Sequence, residues 1–144
     1  MFLLQGIFTG IFATFLFDVF QISLSYAYNI KKSNWNLIGR YFYGLKEKKY
    51  FRQNLENDEI INNELILGYF IHYFIGSIFG FFYVSINKIF FYEPSIMLSL
   101  IIGLVTVLGS WVILMPFAYN IGFFASKKEE QKQIIVQNLI IHFI

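Results

Sequence analysis

The chain has no cysteine, and residues 95–121 contain no Asp, Glu, Lys or Arg at all. The first absence excludes disulfide staples, thiol catalysis and Cys-ligated metal or iron–sulfur sites, and it leaves the redox compartment open. The second belongs to a general shortage of charge: 14% of residues are charged against 57% apolar, with a mean hydropathy of +0.57. A soluble domain of 144 residues with that make-up would lack the polar surface to cover itself. Recognisable catalytic motifs are missing as well. No Walker loop, dinucleotide fingerprint, HExxH or nucleophile motif is present, so no enzymatic activity and no cofactor is expected. The net charge of +2 belongs to loops, and no nucleic-acid partner is expected.

Long apolar runs occupy residues 1–28, 65–92 and 95–121, and a shorter one residues 134–144. Each of the first three exceeds the ~20 residues a helix needs to cross hydrocarbon. The fold class expected is all-α: a polytopic membrane helix bundle in a single transmembrane domain, with the lipid bilayer as its solvent. Three full transmembrane helices and a fourth, short or truncated one are placed at about 1–28, 65–92, 95–121 and 127–144. As a helix, residues 134–144 would extend only ~16 Å, so the fourth stops midway or has lost residues at its end. Seven basic residues lie in the 31–64 loop (Lys31, Lys32, Arg40, Lys46, Lys48, Lys49, Arg52) and three in residues 125–133 (Lys127, Lys128, Lys132). Only Lys88 falls elsewhere, and a bias of ten to one places both stretches in the cytoplasm and the N-terminus outside. Ser25 and Ala27 form a weak cleavage-like pair, but no Lys or Arg precedes the first run, and the run is too long for a signal peptide.

Local chemistry sets the breaks. Pro94 after Glu93 suits the start of the third helix, because its missing N–H costs nothing at the first helical position. Ser126 and Glu129 have the capping-box spacing, which starts the fourth helix near Lys127. Pro116 removes the backbone bond to Val112 and predicts a kink. In the loop, Trp35, Tyr41, Phe42, Tyr43, Tyr50 and Phe51 alternate with basic residues, as in a segment lying at the headgroup level. Glu47, Glu56, Asp58, Glu59 and Glu64 nearly neutralise that loop, which weighs against a basic lipid-binding or partner-docking patch.

Small residues mark two helix faces. Gly6, Gly10, Thr14 and Asp18 recur every four residues in the first helix, as do Gly68, His72, Gly76 and Gly80 in the second. Helices in lipid associate where small residues let backbones approach and polar groups find partners, so both rows are expected to be packing faces. A carboxylate at such depth costs on the order of 2.5 to 3.5 kcal/mol and faces a bundle interior or a water-filled cavity. Counting ~1.5 Å per residue puts Asp18, His72 and His142 ~10 to 15 Å from the inner ends of their helices. The expectation is a buried cluster of Asp18, His72 and His142 with Thr14 beside it. It either glues helices together or handles a proton or ion. One carboxylate and two imidazoles would suit Zn or Fe, but no pair lies on one helix at metal spacing, and no metal is expected.

These residues carry a family resemblance. Gly10 to Asp18 (GIFATFLFD), Gly39-Arg40 with Gly44, His72 to Gly76 (HYFIG), Gly103 to Leu108 (GLVTVL), Met115-Pro116, Ala125-Ser126 and His142 in LIIHF resemble, in order, the signatures of the DUF2938 family. The resemblance implies a small bacterial inner-membrane protein of four helices, with family positions at Asp18, Arg40, His72, Pro116 and His142. It implies no activity. Met115 stands where the family tends to have Gln, and the Gly-rich turns that follow the last His in the family are missing. A structural or accessory membrane subunit is the first functional expectation, with a second copy or another membrane protein as partner. The alternative is a small proton- or ion-coupled transporter acting as a parallel oligomer.

Overall fold

The computed structural model describes residues 2–29, 32–91 and 93–143. Lys31, counted among the inner basic residues, and the expected helix ends at Met1, Tyr92 and Ile144 lie outside the described residues. Within them the protein is all-α, with five α-helices: α1 (Phe2–Tyr28), α2 (Trp35–Leu45), α3 (Glu64–Ile86), α4 (Ile96–Gly109) and α5 (Gln131–His142). α3 continues as π-helix through Asn87–Phe91, and α4 through Ser110–Ala118. Phe2–Tyr28, Glu64–Phe91 and Ile96–Ala118 are each long and apolar enough to cross a membrane, as expected. The outward faces of these helices carry Phe8, Phe12, Ile66, Phe70, Met97 and Ile113, all more than half exposed. That much bare hydrocarbon is stable against lipid and not against water. The protein is a multi-pass membrane protein.

Inside the spans, five hydroxyl groups are satisfied by their own helix. Thr9, Thr14, Ser23, Ser77 and Ser85 each donate to the carbonyl four residues earlier, at 2.7–2.8 Å. With no water to accept those protons, the helix's own backbone does so.

The chain divides into two compact units. The first comprises residues 1–32, 72–105 and 141–144. In it α1 and α3 meet backbone to backbone: a methyl group added at Gly10 would land on the Gly76 carbonyl, and one at Gly80 on the Gly10 backbone. At Gly6 it would sit 2.7 Å from the Phe81 Cα, and at Gly76 on the Thr14 hydroxyl. The glycine rows therefore do meet, with one exception: Gly68 packs against Trp35 and Gly39 of α2 instead. The second unit comprises residues 33–71 and 106–140. Its core has two apolar clusters, Leu37, Tyr41, Leu55 and Ala118 in one, Val107, Trp111, Met115 and Ala125 in the other.

Three local expectations are corrected. The 31–64 loop contains a helix, α2, because Leu37, Ile38, Tyr41 and Gly44 fall on one side of a 3.6-residue period and are all buried. α4 starts at Ile96 and not at Pro94, with Ser95 as its cap: the Ser95 hydroxyl accepts from the Leu98 N–H at 3.3 Å. α5 starts at Gln131 and not near Lys127, because the Lys127 and Lys128 N–H groups are taken by the carbonyls of Ile121 and Ala125. Asn87, near the end of the expected 65–92 helix, is buried and links the two sides of the turn that follows. Its amide donates to the Tyr83 carbonyl at 3.1 Å and its oxygen accepts from the Ser95 N–H at 2.9 Å. Pro116 lies inside the π-helical stretch, where the Tyr119 N–H reaches back to Leu114; the helix widens around the residue that cannot donate.

The α1–α3 contact predicts a sharp contrast between glycines. Gly10→Leu should destabilise the detergent-solubilised protein by about 1–3 kcal/mol or more, since backbone and not flexible side chain blocks the new group. Gly109→Leu, which meets nothing within 4 Å, should be neutral or slightly stabilising. Unfolding by SDS in mixed micelles compares the two.

Candidate functional site

Arg40 is the most extensively bonded buried side chain among the described residues. It lies on the buried side of α2, whose first turn begins where the Leu37 and Ile38 N–H groups close on the Asn34 carbonyl. α2 can reach the first turn of α3 only because two glycines face each other. A methyl at Gly39 would strike the Glu64 carbonyl, and one at Gly68 the Trp35 carbonyl. That approach brings the guanidinium onto Glu64 in a two-pronged pair: Nε to Oε2 and Nη2 to Oε1, both 2.9 Å. The remaining nitrogen, Nη1, donates to the carbonyls of Leu55 at 3.0 Å, Glu56 at 3.2 Å and Asp58 at 3.0 Å. Glu64 also accepts the Ile61 N–H at 3.3 Å.

Such burial is costly unless every group is answered. The two side chains are 7% and 11% exposed, and removing a charge from water costs several kcal/mol. Here parallel charge-assisted bonds and three carbonyls offset the loss, a geometry that the planar fork of Arg supports and Lys does not. The hydrogen bond to Glu64 holds the Arg40 pKa above its ordinary value, against the opposing effect of burial. What the arrangement does is mechanical: one cation gathers the irregular 55–58 segment and ties it to two helices.

A second ion pair extends the knot. Arg52 Nη1 lies 2.8 Å from Asp58 Oδ2, and the Arg52 side chain packs where a methyl at Gly44 would otherwise be. The Arg52 N–H donates to the Phe117 carbonyl at 3.0 Å, and the Asn120 amide to the Gln53 carbonyl at 3.1 Å. One backbone and one side-chain hydrogen bond therefore join the segment after α2 to residues 117 and 120. Tyr41 supports the turn with its hydroxyl on the Tyr50 carbonyl at 3.1 Å, and burial raises its pKa.

A family model described as a protein of unknown function, DUF2938, matches residues 7–144. The chain belongs to the DUF2938 family. No curated protein and no solved structure matches it. In this DUF2938 protein the expected cluster of Asp18, His72 and His142 is not the site that is built; the buried Arg40–Glu64 pair is. Asp18 and His72 do come together, Oδ1 to Nε2 at 3.3 Å. His142 instead meets Phe17 edge-on at 5.1 Å, and the same ring lies 5.3 Å from the His72 ring. Phe17 precedes Asp18 in α1, and its bulk fills the space beside both imidazoles. The Thr14 hydroxyl bonds to Gly10 in its own helix. Among the described residues no three His, Asp or Glu side chains converge as metal ligands.

Arg40, named from the sequence only as a loop residue, is thus central, while Glu64, Leu55, Arg52 and Asp58 were missed. The signal was available in part. An Arg beside Leu37, Ile38 and Tyr41 at helical spacing is an Arg on a buried face, and such a residue needs a carboxylate.

The pair predicts an asymmetric cycle in this DUF2938 protein. Arg40→Met alone should cost about 3–5 kcal/mol, because it strands a buried carboxylate. The double variant Arg40→Met/Glu64→Leu should recover much of that, but not all, since the carbonyls of residues 55, 56 and 58 lose their donor. Chemical unfolding of the four proteins in detergent measures the coupling.

Proposed function

We propose that this chain is a structural or accessory subunit of the bacterial inner membrane, held with its N-terminus outside and its basic stretches in the cytoplasm. The observation that carries this reading is the closure of the Arg40–Glu64 knot. Its strongest polar groups are directed at the chain's own backbone, which suits a part that holds shape better than one that turns over a substrate. The ten-to-one distribution of basic residues supports the orientation, because positive loops are retained on the cytoplasmic side. The hydrogen bonds from Arg52 and Asn120 support the two basic stretches lying together on one side of the membrane, whichever side that is. A subunit with a fixed orientation meets its partner, a second copy or another membrane protein, in parallel.

A second reading, a small proton- or ion-coupled transporter, is supported by one observation, the approach of Asp18 to His72 at 3.3 Å. An acid and an imidazole within a span form the kind of pair that proton-coupled proteins use.

Two measurements separate these readings. Single cysteines replacing Lys48 and Ser126 should be labelled from the cytoplasmic side and one replacing Glu93 from the other; labelling of Glu93→Cys from the cytoplasm would reverse the orientation. Asn87 is unsuitable as a probe because it is buried. Asp18→Asn should leave any pH-gradient-driven flux in vesicles at the background level of empty vesicles, equal to wild type. A wild-type flux above background that the substitution abolishes would install the transporter reading instead.

A further inference from the structure

Three aromatic rings in the second unit form a ladder that crosses between distant parts of the chain. Phe51 packs edge-on against Phe117 at 5.0 Å, and Phe117 against Phe123 at 6.2 Å. Phe117 is the next-to-last residue of the Ile96–Ala118 span, so the ladder begins where the polypeptide leaves hydrocarbon. Phe51 is 74% exposed and Phe123 51% exposed. Rings bare to this extent at the end of a span match the aromatic belt at a membrane–water interface.

Lysines flank the ladder along the chain: Lys46 and Lys48 precede Phe51, and Lys127 follows Phe123. The sequence alone made this loop look neutral, but the structure sorts its acids. Glu64 is held by Arg40, Asp58 by Arg52 and Glu47 by Lys49, while Glu56 and Glu59 are exposed. Lys46 and Lys48, both exposed, have no ion pair among the described residues, and the Lys46 amine lies over the Tyr43 ring, 5.4 Å from its centroid. They lie on the tight turn in which Lys48 adopts a left-handed φ of 58° and the Lys49 N–H returns to Gly44 at 3.1 Å. Lys127, four residues past Phe123, is exposed and is held toward the Gln53 backbone through Asn120, to which its amine donates at 2.7 Å. An ammonium bonded to one neutral amide keeps two donors for an anion.

We propose that Phe51, Phe117 and Phe123 sit at the headgroup level and that Lys46, Lys48 and Lys127 beside them bind the phosphates of anionic phospholipids. The proposal rests on the membrane reading and adds to it a lipid class. Aromatic rings set the depth, and the ammonium groups at that depth face the phosphate layer, where each basic residue near an anionic surface strengthens binding.

The test is competition between lipids on the full chain. The detergent-purified protein is mixed with equimolar phosphatidylglycerol and phosphatidylcholine, and retained lipids are counted by native mass spectrometry. Phosphatidylglycerol should be retained over phosphatidylcholine, and the preference should fall roughly fivefold for each lysine removed in the series ending at Lys46→Gln/Lys48→Gln/Lys127→Gln. Retention of phosphatidylcholine and the helical circular dichroism should not change, since all three lysines are exposed. Equal retention of both lipids by the wild type would overturn the proposal, as would a triple variant that keeps its full preference. Reconstitution into pure phosphatidylcholine bilayers separates this failure from failure of the membrane reading, because a membrane protein inserts there whichever headgroup it prefers.

Discussion

The second unit depends on a buried Arg–Glu pair. A guanidinium removed from water has to be met on every side, and Arg40 is met by one carboxylate and three carbonyls. Because those carbonyls belong to the irregular 55–58 segment, the pair does more than join α2 to α3. It supplies the hydrogen bonds that a chain without regular structure cannot make for itself. Leu55, 2% exposed, then enters the core beside Leu37 and Tyr41. Glycine is the precondition: with any side chain at Gly39 or Gly68 the two helices would be held too far apart for the pair to close.

The first unit solves a different problem by a related means. Between α1 and α3 no hydrophobic force favours association within lipid, so contact relies on dispersion at short range. Gly6, Gly10, Gly76 and Gly80 allow it, and the Asp18–His72 approach lies further along the same interface. Both units thus place a charged residue next to a backbone contact that only glycine permits. Tightness keeps each ionisable group close enough to its partner to justify its burial.

The spans were legible in the sequence because lipid imposes a length and an apolar composition on every crossing helix. The glycine rows were legible for the same reason, since intervals of four fix a helix face wherever the helix goes. Arg40–Glu64 was not, because its members are 24 residues apart and the segment between them follows no period. Composition misled for the loop: its acids and bases balance on paper, whereas in space three acids are each assigned to one base. The His142 placement failed on sterics. Depth along a helix can be counted from residue number, but the contact of the Phe17 ring with both histidines cannot.

The self-bonded hydroxyls have a consequence for recognition. Thr9, Thr14, Ser23, Ser77 and Ser85 already direct their protons into their own helices, so the hydrocarbon-facing surface offers a neighbour few donors to read. Any companion met in the plane of the bilayer is then selected by contour, and chemical discrimination is left to the watery end of the molecule, where charge is concentrated.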